Sequence, residues 1–127
     1  MNMVEAVKHV LGNYANFTGR AARPEFWWWV LALILLQIVT SIIDGALIAP
    51  MLGSASFDPD AGQPLSLLVA LALLIPSIAV SVRRLHDLDR SGWWYLLGLV
   101  PIIGPLVLLF WYVQTGTAGD NRFGPAP

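Results

Sequence analysis

The chain has 127 residues, of which seven are basic and eight are acidic, and its formal net charge is −1. Hydrophobic residues make up 57% of the sequence and charged residues 12%, whereas a typical soluble domain is about 25% charged. So small a net charge gives no general attraction to nucleic acid. The lack of cysteine excludes a disulfide framework, a thiolate metal site and a cysteine nucleophile. These figures predict a single membrane domain, residues 1–127, that does not bind nucleic acid.

The first segment does not resemble a cleavable signal peptide, because polar and basic residues interrupt every apolar run before Pro24. Apolar residues recur at helical spacing over residues 2–14, which predicts a short amphipathic helix at the membrane surface. The alternative is a frayed cytoplasmic tail.

Residues 26–43 contain no formal charge and predict the first membrane span. Pro24 suits the first turn of a helix, and Glu25 suits the positive end of its dipole. A run of three tryptophans, residues 27–29, is typical of the water–lipid boundary. We expect Asp44 and Gly45 to end this helix.

Residues 44–64 are rich in proline and glycine, contain three acids and no base, and predict an external loop. The second predicted span is residues 65–82, which Pro76 should kink. A polar loop over residues 83–92 is then expected on the cytoplasmic side.

Residues 93–113 are uncharged and allow two interpretations. The favoured one is a third straight span with a flaw at residues 101–105, where two prolines and a glycine occur. The other is a re-entrant hairpin of two half-helices that turn there, although polar backbone within a membrane must be covered by protein or water. The turn-rich tail, residues 114–127, should not be helical. The expected fold is therefore an all-α membrane protein with about three transmembrane helices.

Six of the seven basic residues precede the first span or lie between the second and the third. The positive-inside rule makes that side cytoplasmic, together with the N-terminus. Three full spans would leave the C-terminus outside, whereas a hairpin would return it to the cytoplasm with all seven basic residues.

Charged and polar residues at this side form the candidate site. The main candidates are Arg20, Arg23, Glu25, Arg83, Arg84, His86, Asp87 and Arg90, and the secondary ones are Asn121 and Arg122. In the simpler interpretation the acids pair with arginines, which contact lipid phosphates and fix the topology. In the functional one they form a cytoplasmic pocket for an anionic lipid headgroup or an acidic partner segment, since planar guanidinium groups suit such ligands.

Catalysis, a metal and a cofactor are not expected. His86 and Asp87 are adjacent, so on a helix they point about 100° apart, and His9 is the only other histidine. A triad of Ser91, His86 and Asp87 would lack a strained nucleophile turn and an oxyanion hole. We therefore expect an accessory or interaction module, with a homo-oligomer or a membrane-protein partner left open. The alternative is a subunit of an oligomeric small-solute transporter or channel.

Four motifs resemble those of the domain-of-unknown-function family 805, whose members are small bacterial inner-membrane proteins. They are Phe17-x-Gly19-Arg20-x-x-Arg23-x-Glu25-Phe26-Trp27, Arg83-Arg84-Leu85-His86-Asp87, Ser91-Gly92-Trp93-Trp94 and Gly116-Thr117-x-Gly119-x-Asn121-Arg122-Phe123-Gly124-Pro125. The likeness runs from about residue 13 to the end, with departures at Pro24 and Ala118. It implies an integral protein of the bacterial inner membrane and no particular activity.

Overall fold

The computed structural model describes residues 1–127 and is helical, with no β-strand. The α-helices are α1 (Met3–Gly12), α2 (Arg23–Ile43), α3 (Ala49–Met51), α4 (Pro64–Ala72), α5 (Leu74–Asp87) and α6 (Ile103–Tyr112). A π-helical turn, Asp44–Ile48, joins α2 to α3, and 3₁₀-helices cover Pro59–Ala61 and Gly92–Leu99. The chain divides into two compact units, unit 1 (Met1–Trp29 with Pro76–Pro127) and unit 2 (Val30–Ile75).

One continuous helix, Arg23–Met51, has 29 residues and is long and apolar enough to cross a membrane. The helices α4 and α5 reach that length only together, with a bend of 45° between them. Pro76 explains the bend, because it has no N–H to donate to the carbonyl four residues earlier. The helix α6 is apolar but shorter.

Three predicted boundaries are wrong. The helix that begins at Arg23 does not end at Asp44, because residues 44–51 stay helical and Gly53, with φ of +88°, ends the run. Residues 83–87 belong to α5 and are not part of a loop. Residues 93–113 do not form one helix, since Val100–Ile102 separate the 3₁₀-helix from α6 and Ile102 has φ of +68°.

Unit 1 has a mixed core in which aromatic and aliphatic side chains surround charged groups. Phe26 in α2 packs on Tyr112 in α6, with ring centroids 4.4 Å apart. Ala6 and Val10 bury one face of α1, which begins at Asn2, whose side chain accepts a hydrogen bond from the backbone N–H of Glu5. Burial of this face holds α1 against the rest of unit 1.

Unit 2 contains a buried carboxylate at the N-terminus of α4. Asp44 is 1% exposed, and its oxygens accept hydrogen bonds from the backbone N–H groups of Leu65 and Ser66 at 2.9 and 2.8 Å. The Ser66 hydroxyl donates to the same carboxylate at 2.8 Å. Asp44 thus acts as a cap for α4, where the helix dipole favours a negative charge.

Candidate functional site

An ion pair joins the first turn of α2 to α5 in unit 1. The Nη1 atom of Arg83 donates to Oε1 of Glu25 at 2.7 Å, and both side chains are 3% exposed. Nδ1 of His9, on α1, lies 2.6 Å from the same oxygen. One buried carboxylate therefore connects three helices.

A second carboxylate, that of Asp87 at the end of α5, binds two arginines. Nε of Arg20 donates to Oδ1 at 3.0 Å, and Nη1 of Arg84 donates to Oδ2 at 2.6 Å. All three side chains are nearly inaccessible to solvent. Burying a charge is costly unless the charge is paired and hydrogen-bonded. Two arginines that share one carboxylate therefore need further hydrogen-bond acceptors.

Backbone carbonyls of the C-terminal tail supply acceptors for Arg20. Its Nη1 donates to the carbonyl of Gly119 at 2.6 Å and its Nη2 to that of Thr117 at 2.6 Å. In return, the backbone N–H of Thr117 donates to the carbonyl of Asp87 at 2.8 Å. These bonds attach the tail to the segment that precedes α2.

Backbone carbonyls at and just after the end of α6 accept hydrogen bonds from Arg84. Its Nε and Nη2 donate to the carbonyl of Tyr112 at 3.3 and 3.2 Å, and Nη2 also donates to that of Gln114. The last carbonyls of a helix have no partner within the helix and attract positive charge. Arg84 therefore holds the C-terminal end of α6 beside the end of α5.

His86 makes two hydrogen bonds and one ring-stacking contact. Its Nδ1 lies 2.9 Å from the carbonyl of Gly19, its ring stacks on Phe123 with centroids 4.1 Å apart, and its own carbonyl accepts from Asn121 at 2.9 Å. These contacts hold the His86 ring between the segment before α2 and the C-terminal tail.

Three other predicted site residues lie at the edge of this network. The guanidinium of Arg90 stacks over Trp111 at 4.0 Å from the ring centroid. Arg122 bonds to Asp89 at 3.2 Å with both side chains largely exposed. Arg23 is exposed and donates to the carbonyl of Val113 at 3.2 Å.

The structure thus brings together most of the predicted residues, and we define the polar network as Arg20, Glu25, Arg83, Arg84, His86, Asp87 and Asn121. Sequence reasoning did not include His9, Asp89 or the tail carbonyls among the candidates. A backbone carbonyl carries no signal in sequence, and no local pattern links His9 to Glu25, which lies 16 residues further along the chain. Arg83 has two further nitrogens, Nε and Nη2, that are buried without a hydrogen-bond partner.

The ion pairs and hydrogen bonds of the polar network hold the helices of unit 1 and the C-terminal tail together. Each carboxylate is neutralised by an arginine, and no group of three or more histidine, aspartate or glutamate side chains is placed to hold a metal ion. Since the arginines are nearly all enclosed, their donors are directed into the protein. The fold and this network define a small α-helical protein with one helix long and apolar enough to cross a membrane and with a buried ionic cluster.

Comparison with known proteins identifies the group. The chain belongs to the family described as "Protein of unknown function (DUF805)", which it matches over residues 14–125. It is 41% identical over 118 residues to the Inner membrane protein YhaH of Escherichia coli K12, which covers 93% of this chain and 92% of that protein. The Inner membrane protein YhaI of the same strain is also 41% identical over 118 residues, 93% of this chain and 91% of YhaI.

A more distant relative is the Uncharacterized protein YiiR of Escherichia coli K12, 31% identical over 134 residues, 86% of this chain and 84% of YiiR. No solved structure matches the chain. The motifs by which the sequence resembles the family supply every member of the polar network.

Proposed function

We propose that this protein crosses the inner membrane twice, has both termini in the cytoplasm, and serves there as an interaction module for anionic lipid. The single observation that carries the proposal is the attachment of the C-terminal tail, through the carbonyls of Thr117 and Gly119, to Arg20 ahead of α2. A tail bonded to Arg20 belongs on the same side of the membrane as the N-terminal segment.

The dimensions of the 92–112 segment support a re-entrant hairpin. The 3₁₀-helix of eight residues is about 16 Å long and α6, with ten residues, about 15 Å, whereas the hydrocarbon core is about 30 Å thick. The segment begins five residues after Asp87 and ends at Tyr112, whose carbonyl accepts from Arg84. Both ends therefore meet the polar network.

The turn of this hairpin satisfies much of its own backbone, which a membrane environment demands. The N–H groups of Val100, Ile103 and Gly104 donate to carbonyls within residues 97–101 at 2.7 to 3.1 Å. A Cβ on Gly104 would lie 1.7 Å from the carbonyl oxygen of Leu97, so only glycine permits so close an approach. These bonds provide partners for three backbone N–H groups at the turn.

The distribution of charge supports a cytoplasmic location for this side. With a hairpin, all seven lysine and arginine residues fall on one side, and the 44–64 segment, which has three acids and no base, falls on the other. The positive-inside rule assigns the basic side to the cytoplasm.

Among the basic residues, three are exposed, namely Lys8, Arg23 and Arg122. Each exposed base near an anionic membrane surface contributes about 1 kcal/mol to binding. Arg20, Arg83 and Arg84 are buried and bonded within the protein, so we assign them to holding the face together and the exposed three to contacting phosphate.

The topology is tested with single cysteines in this cysteine-free chain. Ala126→Cys should resist a membrane-impermeant maleimide in spheroplasts and react after lysis, as should Ala15→Cys in the N-terminal segment. Ser56→Cys, exposed in the loop after α3, should react in intact spheroplasts and is the matched control. Labelling of Ala126→Cys in intact spheroplasts would overturn the two-span topology.

Lipid binding is tested by purification in mild detergent and measurement of co-purified phosphatidylglycerol. Neutralising the three exposed bases (Lys8→Gln, Arg23→Gln, Arg122→Gln) should lower the amount of co-purified phosphatidylglycerol severalfold at low salt. The charge-preserving set (Lys8→Arg, Arg23→Lys, Arg122→Lys) should bind like the unmodified protein. Equal binding by both sets would contradict the proposal.

A further inference from the structure

A pocket of about 490 Å³ lies within unit 1, beside the polar network. Its walls are mainly apolar and come from the segment before α2, from α5 and from the 3₁₀-helix: Phe17, Ile78, Val82, Trp93 and Leu96. This volume lies in the range of small-molecule sites, which are typically about 300–1,000 Å³ and largely apolar with a few placed polar groups. The pocket therefore has the size and lining of a ligand site.

Three polar side chains also line it, His86, Ser91 and Tyr95. Because Nδ1 of His86 faces a carbonyl, which can only accept, Nδ1 carries the proton and Nε2 is an acceptor. Nε2 faces Gly92, since a Cβ built on that glycine would lie 3.5 Å from it and 2.6 Å from Val82. Glycine at this position keeps the acceptor edge of the ring open to the pocket.

Ser91 completes the polar end. Its Oγ accepts from the backbone N–H of Trp93 at 3.3 Å, which leaves the hydroxyl proton available as a donor. The pocket thus offers an acceptor on His86 and a donor on Ser91, and no lining side chain carries a formal charge.

We propose that this pocket binds a neutral amphiphile with a single hydroxyl head and an alkyl body, taken up from the bilayer. A hydroxyl both donates and accepts, so it can donate to Nε2 of His86 and accept from Ser91. A charged head would lose its hydration here without a counter-charge. The apolar walls accommodate the alkyl body, and Trp93 and Leu96 are largely exposed, so the pocket adjoins the lipid-facing surface. This inference goes beyond the proposed function, and uptake of the ligand from the bilayer rests on the proposed placement of residues 92–112 in the membrane.

The test uses the two histidines of the chain as reporters. Protein labelled with ¹⁵N-histidine is held in detergent micelles, and the ring resonances are assigned with His9→Gln. Addition of 1-dodecanol should move the Nε2 resonance of His86 saturably and leave that of His9 unchanged. Dodecyl methyl ether, which has the same chain and no donor, should produce no saturable shift.

A variant with a larger side chain in the pocket provides a second test of the proposal. Ile78→Phe should raise the half-saturating dodecanol fraction about tenfold, the scale on which hydrophobic pockets discriminate, and Ile78→Leu, which conserves volume, should not. An unchanged His86 resonance, an equal response to the ether, or unaltered saturation in Ile78→Phe would each overturn the proposal. If Ile78→Phe does not fold, the comparison of alcohol with ether on the unmodified protein decides alone.

Discussion

Nη1 of Arg83 lies 2.7 Å from Oε1 of Glu25, although 58 residues separate them in the chain. Glu25 is in the first turn of α2 and Arg83 in the last two turns of α5, so this pair fixes the distance between two helix ends. Since two nitrogens of Arg83 have no other partner, Glu25 is its only counter-charge.

Glu25→Gln should therefore lower the free energy of unfolding by about 3–5 kcal/mol, because it leaves a buried guanidinium uncompensated. Thermal unfolding in detergent measures this. The double variant Glu25→Gln with Arg83→Met should recover much of the loss, since a buried pair can be replaced by apolar groups at little cost. A double variant less stable than Glu25→Gln would contradict this account.

Asp87 and Asp89 allow a comparison between a buried and an exposed ion pair. Asp87→Asn should cost about 3–5 kcal/mol of unfolding free energy, because both Arg20 and Arg84 are buried against that carboxylate. Asp89→Asn should cost less than about 1 kcal/mol, because its partner Arg122 is mostly exposed. Urea unfolding of both variants in the same detergent would check the difference, and equal costs would show that the ionic network contributes little.

Gly116 allows the tail to approach Asp87. A Cβ at this position would lie 1.9 Å from Oδ2 of Asp87, which two arginines hold in place. Gly116→Ala should therefore cost about 1–3 kcal/mol of stability and speed tryptic cleavage at the exposed Arg122. Gly12→Ala, with no atom within 4 Å of the added Cβ, is the control and should not change that cleavage rate. Unaltered cleavage in Gly116→Ala would mean that the tail is not held by this contact.

Part of the fold could be predicted from local sequence. The uncharged run from residue 26, introduced by Pro24 and Glu25, predicts a membrane helix because its length and composition match the apolar core of a bilayer. The bend associated with Pro76 follows from its missing N–H. The prediction that Asp44 ends the helix was wrong, because a carboxylate inside a helix is tolerated when it caps a neighbouring one, and the bonds to Leu65 and Ser66 are not visible in a local pattern.

For the candidate site, the positions of the residues could be predicted from the sequence, whereas their roles could not. Arg83, Arg84, His86 and Asp87 stand out in sequence because charged residues are scarce elsewhere, and the resemblance to the family points to the same residues. Their roles could not be read from the sequence, since an arginine that contacts lipid phosphate and one enclosed by carbonyls have the same local pattern. The bonds of Arg20 to Asp87 and to Gly119 span 67 and 99 residues.

By itself, then, the sequence determined the membrane class, the helical character and the location of the polar residues, because these depend on composition and local periodicity. The tertiary structure decided which arginine pairs with which acid, that the tail returns to the segment ahead of α2, and that His86 directs its free nitrogen toward an apolar pocket. These features depend on contacts between distant parts of the chain, where backbone carbonyls supply much of the bonding, and a carbonyl is common to every residue.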